Sequence, residues 1–566
     1  SINGMELAAK FTMNGGTISG CTSASHGGGI KTHGEVVMRG GSTITDCHCT
    51  VSGSNQQFGG GVHLFKKAKF TMTGGTISNC TASSGGGVMV WGDDTNGKPT
   101  FIMDGDPATT KITGCRVEVG NGNGGAVYVQ GSTFNFKNGT LSGNKAWRYG
   151  GAININETAF LTLEGNCIIR DNVAGAGGGI SQEAGGCVID INSDGVLIEG
   201  NSAIFVQENK DKLESTKTAC GQGGGILLEK GEFSMSAGII QENYASLNGG
   251  GVSCYVSRIP GNIIATIAGG EIFRNEAGIS GGGIDLYADK ERGDYGKNIV
   301  EVNLNGGILD SNSAKNGGGI YVGINEANST AEMEIESPYT ESTIYGNTAT
   351  ENGGAIGLSN GTVTVESGNF SNNTAENGGA IYLGKGDMSM NNIYIHGNTA
   401  TKGGGGVYLA NGTLTIKDAD KNKIINNTAT STGGGILVQD GDLKMEKCLV
   451  QENKANYGGG VGVSNSAATT INLLNPAIDF EKNTATIAGG GMAVLGPITL
   501  NFAGSLQHNT AGNGGGIFVA QGATLIYKGG MIRYNHATGT STGINTGFEG
   551  TANGIHGFGG GVFVGS

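Results

Sequence analysis

The chain has 566 residues, 37% of them hydrophobic and only 14% charged, with 111 glycines, 6 prolines and a formal net charge of −13. That acidic balance argues against a nucleic-acid partner, whose phosphates require a basic face. No apolar run of about 18 residues exists to cross a membrane as a helix, and the apolar residues recur in register, which excludes a disordered chain.

The register comes from a repeat. A glycine cluster is followed by an apolar residue eighteen times, from Ile30, Val62 and Val88 through Ile356, Ile381 and Val407 to Ile517 and Val562. Steps are as short as 25 residues, as from Ile356 to Ile381. Each unit holds three short alternating runs bounded by Gly, Asn or Ser, the signature of strands, and none shows a helical period. Units this short cannot fold alone, so they stack as a solenoid. The predicted fold is all-β: a right-handed parallel β-helix of three strands per coil and roughly 18 coils, forming one continuous domain over residues 1–566.

In the first strand, residues one and three face the core, as in Ile320/Val322, Ile381/Leu383 and Val407/Leu409. The second strand repeats the alternation with Phe70/Met72, Phe134/Phe136 and Val363/Val365. The third ends in an apolar residue, two spacers and Asn, giving a predicted amide ladder of Asn172, Asn243, Asn347, Asn373, Asn427 and Asn509. In the N-terminal third, Cys21, Cys47, Cys80 and Cys115 occupy the ladder position. A spacing of about 4.8 Å permits a buried column of thiols or, with slight strain, pairing of neighbours. Cys254 reads as core, and Cys220 as the exposed thiol of a loop. Insertions interrupt the beat near 91–110, 205–222, 288–298 and 537–558, where binding surfaces on rigid scaffolds tend to lie. Both ends stop within a coil, which suits either a piece of a longer chain or a subunit that pairs head to tail with copies of itself.

GGAI at Gly353–Ile356 and Gly378–Ile381, GGAV at Gly124–Val127 and FSNN at Phe370–Asn373 resemble the GGA(I/L/V) and FxxN repeats of the chlamydial polymorphic membrane proteins. The resemblance implies an autotransporter-type surface adhesin. Most units here read GGG, and most third strands carry Ile or Leu in place of Phe.

Chemistry is sparse in the sequence. Pectinolytic enzymes share this fold class and need acids clustered on one face of adjacent coils. Only Asp93/Asp94 and Asp289/Asp294 pair by eye; Asp285 is an outward acid close to Asp289 and Arg292. The eight histidines have no metal spacing. No catalytic residue, metal or cofactor is therefore assigned. The outward position of the first strand carries Tyr128, Tyr321, Tyr382, Tyr408, Phe518 and Phe563, a candidate aromatic stripe for a glycan or a protein receptor. The expected function is a non-catalytic adhesive or structural rod, extracellular or on the cell surface. A self-assembling filament or sheath subunit is the first alternative, and a polysaccharide lyase or hydrolase the second.

Overall fold

The computed structural model describes residues 9–50, 57–95, 97–117, 122–183, 185–204, 220–256, 261–288, 298–324, 330–336, 343–464, 469–539 and 558–565. Among these every regular element is a strand. The chain divides into two compact units, Ser1–Asn303 and Leu304–Ser566.

In Ser1–Asn303, the first strands beginning at Ile30, Val62, Val88, Val127, Ile153, Ile180, Ile226, Val252 and Ile284 pair in parallel, each corner residue opposite the next. In Leu304–Ser566 the same ladder runs through Ile320, Ile356, Ile381, Val407, Ile436, Val461, Met492, Ile517 and Val562. These eighteen first strands are the eighteen predicted corners, and they close about sixteen full turns. Branched residues suit such ladders because they pack well on a pleated surface.

The second and third strands stack in the same way and join into single ten-residue strands at Thr133–Ser142, Thr362–Ser371, Ile498–Gln507 and Thr524–Arg533. A short fourth strand follows the ladder residue in most coils, as at Thr81–Ala82 and Thr399–Gly403, and the three-strand reading did not include it. Inside, Phe70, Phe101 and Phe134 are fully buried and stack at 4.9 and 4.5 Å between ring centroids. Sealing one such ring from water is worth about 2–3 kcal/mol.

The asparagine ladder is real hydrogen bonding. The side-chain oxygen of Asn243 accepts from the backbone N–H and from Nδ2 of Asn201, both at 3.0 Å. Asn243 Nδ2 donates in turn to Asn275 Oδ1 and to the Ile198 carbonyl, again at 3.0 Å. Asn172, Asn347, Asn373, Asn427 and Asn509 make the same contacts in their coils. The residue before each rung takes left-handed backbone: Asp171 at φ 57°, Glu242 at 54°, Ser311 at 53° and Asn426 at 55°. Amide bonds on both sides hold these bends in a region that L-residues seldom occupy.

All ten cysteines are unbridged thiols. Cys47, Cys80 and Cys115 are buried, and Cys21 in the first coil is half-buried. Cys254 is core as expected, whereas Cys220 is buried at 5% exposure and is not the exposed thiol its loop position suggested.

Candidate functional site

A site must be built on what each coil leaves outside its core, and the glycine corner decides that. The first glycine reverses the chain: Gly177 has φ 61°, and a Cβ there would lie 2.6 Å from the Ile180 carbonyl oxygen and 2.7 Å from the Ser181 Cβ. Only glycine allows that approach. The reversal folds the residue preceding the corner back over the outward side of the first strand. Tyr149 and Ala176, which precede their corners, pack on the outward Leu227. Ala488 likewise packs against Ala493 and Phe518.

The predicted aromatic stripe is therefore not a solvent-facing column. Tyr128 and Phe518 are buried, at 7% and 5% exposure. Tyr321, Tyr382, Tyr408 and Phe563 are half-buried. Tyr382 stacks on Tyr408 at 5.4 Å and Phe518 on Phe563 at 5.6 Å, while the Tyr321 hydroxyl donates to Ser359 Oγ at 2.9 Å. Tyr128 has Met89 and Asn154 as its rung neighbours. The stripe is broken into separate pairs and single rings.

In Ser1–Asn303 the covered seam is unusually polar. His63, Asn154, Ser181, Ser253 and Asp285 all occupy outward positions and are at most 1% exposed. Ser253 Oγ donates to Gln222 Oε1 at 3.2 Å, and Ser280 Oγ to Asp285 Oδ1 at 2.7 Å. Both ring nitrogens of His63, both side-chain polar atoms of Asn154, Ser181 Oγ and Asp285 Oδ2 are buried without a hydrogen-bond partner. Asp285 is thus neither solvated nor open to substrate, and burial pushes its carboxyl up to about 7. The acids and arginine expected beside it, Asp289, Asp294 and Arg292, lie outside the described residues, as do 205–219 and 540–557 of the other insertions. Asp93 and Asp94 sit in an exposed turn, where Asp93 Oδ1 accepts from the Thr95 N–H at 2.9 Å and Asp94 pairs with Lys98 at 3.4 Å. His63 is packed among His26, Phe58, Phe65 and Trp91, with ring centroids 5.0–6.5 Å away. Burial, then the charges of His26, Lys31 and His33, hold its pKa down to about 3.

At the mouth of the seam lies a charged group that inspection of the sequence missed. Glu183 and Glu229 each stand three residues after a corner, at Ile180 and Ile226, and those corners are paired rungs. Their backbones are therefore about 4.8 Å apart. Arg148 Nη1 lies 3.8 Å from Glu183 Oε1, and Asn123 Nδ2 donates to Glu183 Oε2 at 2.9 Å. The Tyr149 hydroxyl donates to Glu229 Oε1 at 3.2 Å, and the Arg148 guanidinium sits 4.7 Å over the Tyr149 ring. Burial raises the Glu183 carboxyl pKa, Arg148 opposes that, and Glu157 adds to it. Counting offsets from each corner exposes this pair in the sequence; looking for acids adjacent in the chain does not. Among the described residues no group of three or more His, Cys, Asp or Glu side chains is placed to hold a metal ion.

A family model described as a right handed beta helix region matches residues 327–496. No curated protein and no solved structure matches the chain. With the parallel ladders on both units, the fold is an all-β, right-handed parallel β-helix.

Proposed function

We propose that the chain is a non-catalytic β-helix rod of the extracellular space or cell surface, with an adhesive or structural role. The observation that carries this reading is the state of the polar groups. The ladder amides are spent on one another, coil after coil. The acidic pair beside the covered seam has its carboxylates engaged: Glu183 by Arg148 and Asn123, and Glu229 by Tyr149. A general acid or nucleophile has to be within reach of substrate. The GGA(I/L/V) and FxxN repeats, similar to those of chlamydial surface adhesins, give the reading its direction.

The test is binding of the purified chain to immobilised oligosaccharides, to matrix proteins and to cultured cells, with soluble competitor as control. Saturable, competed binding to any of them supports adhesion. The juxtaposition of Glu183, Glu229 and Arg148 favours a second reading, a polysaccharide-active enzyme. Release of reducing sugar that Glu183→Gln and Glu229→Gln abolish would establish it in place of the first.

A further inference from the structure

We propose that the outward residues three positions after the corners of Ser1–Asn303, from Phe65 to Tyr287, form a binding strip for a neutral, straight-chain polysaccharide lying along the stack of coils. This rests on the adhesive reading and names its ligand class.

The strip is one column in register. Trp91 lies opposite Phe65 on one side and Gln130 on the other, and Gln130 lies opposite Asn156. The corners of the next coils are paired rungs, which carries the column through Glu183 and Glu229 to Tyr255, and Tyr255 lies opposite Tyr287. The position one residue after the corner is covered in these coils, but each member of this column keeps part of its surface in water. From Phe65 to Tyr287 the column is about 34 Å long at about 4.8 Å per rung.

Two observations point to a ligand. The first is what the same column carries in the other unit. In Leu304–Ser566 it is mostly small, with Gly323, Ser359, Gly384, Ala410 and Ala520, and it holds no ring. A coil therefore closes without a large side chain at this position. In Ser1–Asn303 rings stand at both ends of the strip: Phe65 and Trp91 with centroids 5.4 Å apart, and Tyr255 and Tyr287 at 5.8 Å. Rings left half in water where the fold does not need them mark a contact surface.

The second is the polar stretch between the rings. Gln130 and Asn156 supply amides, which donate and accept as sugar hydroxyls do. Gln130 Nε2 donates to Glu157 Oε2 at 2.8 Å in an exposed position, where a ligand hydroxyl can compete. Apolar rings flanking hydrogen-bonding groups suit the apolar faces and hydroxyl rims of a sugar chain. The spacing decides against a peptide strand, which advances about 3.4 Å per residue and falls out of step with the rungs. A hexopyranose unit of an extended β-1,4 chain advances by nearly one rung. Glu183 and Glu229 against the one guanidinium of Arg148, on a chain of net charge −13, disfavour a polyanion and leave a neutral glycan.

The chain has two tryptophans, so Trp147→Phe leaves Trp91 on the strip as the only fluorescent indole. Titration of that whole chain with cellohexaose, mannohexaose and N-acetylchitohexaose is expected to give a saturable change with at least one of them, and hexagalacturonate none. Affinity is expected to rise steadily from the disaccharide to the hexasaccharide, since each added unit meets another rung. By calorimetry on the otherwise native chain, Trp91→Ala and Tyr287→Ala are each expected to weaken hexasaccharide binding about tenfold, the loss of one ring contact. Gln130→Ala, a smaller change, serves where a ring variant does not fold and is expected to weaken binding several-fold. Gln439→Ala, at the same column position in the other unit, is expected to leave it unchanged. No saturable binding of any neutral hexasaccharide overturns the proposal. So does a disaccharide that binds as tightly as the hexasaccharide, or binding that the strip variants leave unchanged. A chain that fails these tests yet holds matrix protein or cells keeps the adhesive reading, whereas one that binds neither saccharide, protein nor cell loses that as well.

Discussion

The backbone N–H of Cys115 donates to the side-chain oxygen of Asn144 at 3.0 Å, so the thiol column of the first coils runs directly into the amide column. The two columns are not equivalent. Asn144 Nδ2 reaches Asn172 Oδ1 and the Ile112 carbonyl at 3.0 Å each, whereas the Cys115 thiol lies 3.7 and 4.0 Å from its carbonyl acceptors. Cys115→Asn supplies an amide at a position already built for one. Denaturant unfolding is expected to show a gain of about 1–2 kcal/mol, one or two net hydrogen bonds. A loss would mean that the column beneath is too narrow for an amide.

Within the amide column the reverse change is costly. Asn243→Ala removes the acceptor for two bonds from Asn201 and the donor to Asn275 and Ile198. The buried Asn201 amide is then left without that acceptor, so a loss of about 3–5 kcal/mol is expected. In a solenoid the damage concentrates on neighbouring coils. Hydrogen exchange should therefore quicken most in the coils carrying Asn201 and Asn275, and uniform loosening of the whole unit would contradict the ladder account.

His63 and Asp285 set opposite pH slopes. The His63 pKa is held down to about 3 in the fold against an ordinary value of 6.5, so the unfolded chain takes up a proton first as pH falls. Stability from this group is lost from about pH 6.5 down toward 3. Asp285 is pushed up from 3.8 to about 7, so its contribution is full below pH 3.8 and is lost as pH rises through 7. His63→Phe is expected to flatten the acid side of the stability profile and Asp285→Asn the neutral side, each by a few kcal/mol at most. Melting temperatures measured from pH 4 to 8 check both; parallel curves for wild type and variants would show that the two groups do not titrate across folding.

Ser311 is exposed and sits at φ 53° immediately before the ladder residue Asn312. The matching residues Gly143, Gly200, Gly346 and Gly397 lie at φ 62–66°. Ser311→Gly removes a left-handed conformation that costs an L-residue about 1–2 kcal/mol, against some added freedom in the unfolded chain. A net gain of about 0.5–1 kcal/mol is expected in thermal unfolding, and a loss would show that the Ser311 hydroxyl, which donates to Asp310 Oδ1 at 2.6 Å, matters more than the backbone.

The fold was legible because a β-helix makes each coil repeat the contacts of its neighbour. Aligning Ile356 with Ile381 and Val407 already states which residues touch, and the same alignment places Asn347 above and below its partners. The candidate site was far less legible. Glu183 and Glu229 are 46 positions apart because the insertion between their coils stretches the step, so they look unrelated until counted from their corners. Arg148 and Tyr149 enter from the segment before a corner, whose path over the first strand no local pattern announces.

By itself the sequence determined the corners, the inward columns and the ladder, since glycine's backbone freedom, the two-residue alternation of strands and the fit of amide to amide are local properties repeated in every coil. The tertiary structure alone decided which outward positions meet water. The glycine reversal brings a non-adjacent residue over the first strand, burying Tyr128, Phe518 and Asp285 and setting Arg148 beside Glu183. Exposure is a relation between segments, and strand alternation fixes only which side of the strand a residue leaves from.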